Sequence, residues 1–245
     1  MKTPGIFITG TDTDVGKTVV TAALLTSLRS KGIDAVPMKP VQTGCINKKG
    51  NLIAPDLEFC LKAADLNPDA AEKKLMCPYT FEPACSPHLA ADKANTSISL
   101  DQILTSFNQL EKNHDMVIVE GAGGILVPIN KNETMLDLVK ILDLPVILVA
   151  RSGLGTINHT LLSLRELKRA KLKVIGIIFN QTTPDAPEYI EEDNLRIIPE
   201  LGETPVLGKI PFTPNIELNF KNTITKALDI ELTKERISLT ETQRP

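Results

Sequence analysis

The sequence predicts a single α/β domain built on a doubly wound, mostly parallel sheet, and three observations carry that expectation. Strand-length apolar runs alternate with helical stretches along most of the chain, with no repeat or low-complexity linker between them. The runs are apolar throughout rather than alternating, the pattern of strands covered on both faces. The first run also ends in Gly10-Thr11-Asp12-Thr13-Asp14-Val15-Gly16-Lys17-Thr18 and passes straight into a helical pattern. Strand, Gly-Lys-Thr turn and helix form the context in which backbone N–H groups wrap a polyphosphate.

The elements follow in order. Strand Ile6–Thr9 stops at Gly10, and Val19, Val20, Ala22, Ala23, Leu24, Leu25 and Leu28 give helix Lys17–Ser30 its apolar content. Strand Ala35–Lys39 meets Pro40, and Asp56 opens helix Asp56–Ala64. Helix Leu100–Glu111 leads to strand Met116–Glu120, whose apolar residues deliver a carboxylate at a glycine loop. Helix Met135–Leu142, strand Val146–Ala150, helix Thr156–Ala170 and strands Val174–Asn180 and Val206–Ile210 continue the alternation, and helix Pro214–Leu228 closes it. Residues 1–230 are therefore expected to form one domain of P-loop NTPase type, and 231–245 a polar tail.

Bulk properties narrow the function. A net charge of −3 without a long basic run argues against a nucleic-acid partner. No apolar run reaches membrane-spanning length, so no membrane partner is expected. Cys45, Cys60, Cys77 and Cys85 show neither metal spacing nor a disulfide framework, and no secretory signal precedes the first strand. A cytoplasmic protein is the expectation.

In a doubly wound sheet ligands bind at the carboxyl ends of the strands, and the chemistry-bearing residues fall there. Lys17 would reach the outer phosphates and the Thr18 hydroxyl a Mg²⁺ ion. Lys39, at the end of the second strand before Pro40-Val41-Gln42-Thr43-Gly44, could offset charge on a reacting oxygen or be an ordinary surface lysine. Asp56 could be a helix cap or a carboxylate directed at Mg²⁺. Glu120 is read as the second Mg²⁺ element usual in phosphate-loop proteins. Pro78-Tyr79-Thr80-Phe81 and Ser86-Pro87-His88 read as a loop entering a helix, with His88 a base or a structural residue. The turn Gly153-Leu154-Gly155 opens a helix whose free N–H groups suit an anion, unless Thr156 merely caps it. Asn180 could read a base edge or cap a turn.

Together these residues resemble dethiobiotin synthetases. The phosphate loop carries one residue more between its glycines than the commonest form, with Thr11 where the first glycine is expected. That loop, Lys39-Pro40-Val41 with Gly44, Pro78-Tyr79-Thr80-Phe81 with Ser86-Pro87-His88, and Val119-Glu120-Gly121-Ala122-Gly123-Gly124 carry the resemblance, with Leu154-Gly155-Thr156-Ile157-Asn158-His159 and Gly208-Lys209-Ile210-Pro211. It spans about residues 3–230.

The resemblance implies ATP-dependent carboxylation and ring closure of 7,8-diaminononanoate with CO₂ or bicarbonate, through a carbamate and a carbamic-phosphoric anhydride. It implies catalysis by Lys39 and Lys17, and nucleotide contacts from Thr13, Asp14, Val15, Gly16, Lys17, Thr18, Val19, Glu120, Asn180 and Pro211. Mg²⁺ would be held by Thr18, Asp56 and Glu120. Substrate contacts would come from Thr11, Lys39, Thr43, Gly123, Thr156, Ile157, Asn158 and Tyr189. The helix start at Thr156 would serve a partner subunit's site, so a homodimer is implied. Asp14 is shorter than the glutamate often found at its position.

Two rivals share the motif class. ATP-dependent switches that position chromosomes or septa carry a second lysine early in the loop, where this chain has Asp12. Cobyrinate-type amidating synthetases usually carry a glutaminase module, for which 245 residues leave no room beside the fold.

Overall fold

The computed structural model describes residues 5–184, 187–214 and 220. In chain order the elements are β1 (Gly5–Gly10), α1 (Lys17–Ser30), β2 (Ala35–Met38), β3 (Val41–Gln42), β4 (Ile46–Lys48), β5 (Asn51–Ile53), α2 (Pro55–Ala63), α3 (Ala70–Met76) and β6 (Tyr79–Thr80). They continue with α4 (Pro87–Lys93), α5 (Leu100–Asn113), β7 (Met116–Gly124), α6 (Met135–Leu142), β8 (Val146–Arg151), α7 (Thr156–Arg169), β9 (Val174–Asn180), α8 (Glu188–Gly202) and β10 (Val206–Ile210).

The main sheet has the order β10-β9-β8-β1-β7-β2, and every neighbouring pair is parallel. The predicted doubly wound α/β architecture therefore holds. Successive side chains of a strand face opposite sides, and β1 shows the consequence. Ile6 and Ile8 join Val20 and Leu24 of α1 in one apolar cluster, while Phe7 joins Phe107 of α5 and Leu138 of α6 in another. Both faces are thereby buried, as the uninterrupted apolar runs require. A third cluster gathers Leu148 and Ala150 of β8, Ile177 and Phe179 of β9, Leu164 of α7 and Ile198 of α8.

Two strand boundaries need correction, and two alternatives left open by the sequence close. β7 does not stop at Glu120 but runs to Gly124, pairing Gly10 with Gly124 after an irregularity in register. Its second half is glycine and alanine, which supplies no apolar signal. β2 ends at Met38, one residue before Lys39. Asp56 is not the cap of α2: Pro55 is the first helical residue, Ala54 is the N-cap, and no side chain caps it. Gly155, not Thr156, is the N-cap of α7, with a left-handed φ of 87°.

The segment after Asn180, for which the sequence suggests no element, holds the fifteen-residue helix α8. Its buried face is Glu191, Asn194, Ile198 and Gly202. Two of those four residues are polar and one is glycine, so the inward stripe carries no hydrophobic periodicity to detect. The predicted helix Pro214–Leu228 and the tail 231–245 lie outside the described residues, except Pro214 and Phe220. Phe220 packs edge-on against Phe59, with ring centroids 5.4 Å apart. Among the described residues no helix is long and apolar enough to cross a membrane.

Candidate functional site

Central β1 delivers the phosphate loop, and the backbone there needs unusual conformations. Asp14 has φ 55° and Gly16 φ 95°, both left-handed. Gly16 is required twice over. Its φ disfavours a side chain, and a Cβ built there would lie 2.0 Å from Asn180 Nδ2. That amide nitrogen donates to the Val15 carbonyl at 3.0 Å, so the end of β9 braces the loop. Lys17 folds back over the loop, its ammonium donating to the Asp12 carbonyl at 2.8 Å. Burial, reinforced by the neighbouring Lys39 cation, pushes the Lys17 pKa down to about 8.

Beside the loop a second cation is enclosed. Lys39 Nζ donates to Glu120 Oε1 at 2.6 Å and to Asp56 Oδ2 at 2.7 Å. The same Glu120 oxygen accepts the Thr18 hydroxyl at 2.8 Å. Glu120 is 2% exposed and Lys39 6%. Burial pushes the Lys39 pKa down, but the Glu120 and Asp56 carboxylates outweigh it and hold it above its ordinary value. Asp56 therefore faces the cation rather than capping its helix. A hydroxyl and two carboxylates, all hard oxygens already gathered around a positive charge, fit Mg²⁺. Among the described residues no group of three or more His, Cys, Asp or Glu could hold a metal ion. Mg²⁺ in phosphate sites is commonly held by one or two carboxylates together with the substrate phosphates, which suits this donor set.

A cleft of ≈ 760 Å³ opens over these groups. Of the residues expected from the sequence, Thr13, Asp14, Gly16, Lys17, Thr18, Lys39, Thr43, Asp56, Glu120 and Gly123 line it. They come from separate segments of the chain. Gln42, Pro55, Ala84, Cys85, Ser86, Pro87 and Val127 line it too. Gln42 and Ser86-Pro87 fall within or beside the motifs that carry the resemblance, which implies no role for them, whereas Val127 carries no sequence signal at all.

The other expected residues do not line this cleft. Thr11 sits on the loop, its N–H donating to Val149 O at 3.0 Å. Val15 is fully buried, and Val19 packs against the core. Pro211 follows β10 directly and is exposed. Thr156, Ile157 and Asn158 form the first turn of α7, where Asn158 is exposed and the preceding Leu154 is 90% exposed. Tyr189 stands in the first turn of α8, 72% exposed. Within one chain these last four are apart from the cleft, and a shared site would need a second subunit. His88 lines a different cavity of ≈ 500 Å³, and its Nδ1 is buried without a hydrogen-bond partner.

A family profile described as an AAA domain matches residues 4–218. The ATP-dependent dethiobiotin synthetase BioD of Anoxybacillus flavithermus is 43% identical over 212 residues, covering 86% of this chain and 93% of that protein. The BioD of Thermodesulfovibrio yellowstonii is 40% identical over 235 residues, covering 93% and 97%. Among solved structures, the MinC:MinD cell division complex of Aquifex aeolicus aligns with a TM-score of 0.58 at 17% identity, covering 98% of this chain and 97% of that one. MinD of Pyrococcus horikoshii with Mg-ADP gives 0.57 at 17%, covering 98% of each. At such identity the structural likeness shows a shared fold alone.

Proposed function

The chain belongs to the dethiobiotin synthetase family, and from that premise we propose that it closes the ureido ring of dethiobiotin from 7,8-diaminononanoate, CO₂ and ATP, with Mg²⁺ as the metal. The observation that carries this reading is the enclosure of Lys39 by Glu120 and Asp56 beside the phosphate loop. It puts a permanent cation within the cleft that Lys17 and Thr18 also line.

The reaction needs three bond-forming steps. One substrate amine attacks CO₂, forming a carbamate and releasing a proton. A carbamate oxygen then attacks the γ-phosphorus of ATP, the bond to the bridging oxygen breaks, and ADP leaves. Last, the second amine attacks the carbonyl carbon of the mixed anhydride and gives up a proton, the carbon–oxygen bond to phosphate breaks, phosphate leaves, and the ring closes.

Negative charge gathers on oxygen in each of these steps, and preorganised cations stabilise it where it forms. Lys17 holds the outer phosphates, and Lys39 meets the carbamate oxygens and the γ-phosphate. Thr18, Asp56 and Glu120 are the residues that would hold Mg²⁺. When bound it supplies charge neutralisation on the phosphates. Thr43, Thr11 and Gly123 shape the diamine end of the site, while Asp14, Thr13, Val15, Val19, Asn180 and Pro211 serve the nucleotide. The first turn of α7, with Asn158 and Tyr189, receives the substrate carboxylate in the site of the other subunit of a homodimer. A helix N-terminus suits a carboxylate because its first N–H groups lack intrahelical acceptors.

Purified protein incubated with ATP, Mg²⁺, bicarbonate and the diamine should yield dethiobiotin by mass spectrometry, with one ADP per product. ATP hydrolysis that proceeds without the diamine, and no product, would instead favour a nucleotide switch.

A further inference from the structure

Just past the end of β8, a buried polar cluster that the proposed chemistry does not use holds the turn before α7. The Ser152 hydroxyl donates to Glu191 Oε1. Lys209, from β10, donates its ammonium to Glu191 Oε2. Asn194, one turn further along α8, donates to the carbonyls of Ser152 at 2.7 Å and Gly153 at 3.2 Å. Ser152 is 1% exposed, Asn194 3% and Glu191 4%.

A carboxylate that deep is costly unless paired and hydrogen-bonded. Here both of its oxygens are used, one by a cation and one by a hydroxyl. Ile198 on the same face joins an ordinary core cluster, whereas Glu191 meets the turn before α7. Charge sits at the position that grips a turn rather than at one that fills the core. What the cluster fixes is the path of residues 152–155, and hence the direction in which the first N–H groups of α7 point. Gly155 makes that turn with its left-handed φ of 87°. The turn's own hydrogen bond restrains it less firmly: Thr156 N reaches Gly153 O only at 3.4 Å, and Leu154 projects into solvent.

The geometry points to Glu191 as a positioning residue for carboxylate recognition: joined to Ser152 and Lys209, and backed by Asn194, it orients the first turn of α7 toward the acid group of the substrate. This rests on the reading that the α7 start binds that carboxylate. It also gives a role to Lys209 in the Gly-Lys-Ile-Pro segment, which the proposed function leaves without one.

The test compares the natural acid with 7,8-diaminononane, which keeps both amines and lacks the carboxylate. For each, kcat/KM is measured in the wild-type protein and in Glu191→Gln, which keeps the shape and removes the charge. The expected result is strong wild-type preference for the acid, reduced about tenfold in the variant, on the scale of losing a charge-assisted hydrogen bond. The loss should fall on the KM for the acid, with the KM for ATP and the kinetics of the carboxylate-free analogue unchanged. A merely structural role would lower the active fraction for both substrates equally and leave the ratio intact, which overturns the proposal. If the wild type itself shows no preference, the carboxylate reading of α7 fails first, and the two failures are thus separable. Should Glu191→Gln not fold, Ser152→Ala, which deletes one hydroxyl, is read in the same way.

Discussion

Lys39 and Glu120, eighty-one positions apart, meet at 2.6 Å in the interior, and the oxygen that accepts the ammonium also accepts the Thr18 hydroxyl. One carboxylate thus joins the phosphate-loop helix to the end of the second strand. It is held by a cation where a metal ion would be expected to act.

Lys39→Met removes that cation and leaves Glu120 buried beside Asp56 without its ion-pair partner. Breaking a buried pair from one side costs on the order of 3 kcal/mol or more. The variant should therefore melt well below the wild type in metal-free buffer, and millimolar Mg²⁺ should recover more of its Tm than it adds to the wild type. Thermal denaturation with and without MgCl₂ measures both. Equal shifts in the two proteins would show that Lys39 and the metal do not share these carboxylates.

Asp56→Asn and Glu120→Gln keep the shapes and remove one charge each. Either should raise the Mg²⁺ concentration needed for half-maximal activity, because a hard cation prefers charged oxygens. Asp56 makes no helix cap, but it pairs with the buried Lys39 ammonium, so Asp56→Asn should also lower stability, by less than Lys39→Met because Glu120 still faces the cation. A Mg²⁺ titration that leaves Asp56→Asn unchanged removes it from the metal site.

Lys17 titrates near pH 8, pushed down by burial and then by the Lys39 cation. Between about 8 and the ordinary lysine value the free protein has lost a proton there that the unfolded chain retains. Polyphosphate favours the ammonium and raises the pKa again, so nucleotide binding at pH 8 should take up as much as about half a proton per site. Calorimetric binding enthalpies should then vary with the ionisation enthalpy of the buffer in the wild type and not in Lys17→Gln. Turnover in Lys17→Gln should fall by about two orders of magnitude, the scale of losing a preorganised charge-stabilising donor.

Mixed dimers test the shared site. Lys39→Ala should disable one end of each site and Asn158→Glu, by repelling the substrate acid, the other. If the two residues serve one site from different subunits, a mixed dimer carries both defects in one site and none in the other. Random pairing makes half the dimers mixed, so co-refolding should restore about a quarter of full activity. Activity that stays at the level of the parents, with mixed dimers confirmed by mass spectrometry, places the whole site within one chain.

Much of the molecule is legible in the amino-acid sequence by itself. The six strands of the main sheet are readable as apolar runs, because burial on both faces leaves few polar residues to blur them. The phosphate loop is readable because its chemistry is local: glycine conformation, a lysine and a hydroxyl within nine consecutive residues. Lys39, Asp56 and Glu120 stand out as candidates, but Lys39 and Asp56 each carry a bland alternative that the sequence cannot remove.

Tertiary structure alone decides the rest. Which strands neighbour β1 depends on packing between elements far apart in the chain, and no local pattern records that order. For the same reason only the fold shows that Asp56 faces Lys39 instead of capping α2. It also reveals α8, whose inward face pairs Glu191 and Asn194 with Ser152, Gly153 and Lys209. A helix buried through polar partners leaves no hydrophobic period in its sequence. Periodicity and turn chemistry are properties of neighbours along the chain. A buried charge is tolerated only because of partners that folding brings from elsewhere, so its place and purpose become readable only once the chain is folded.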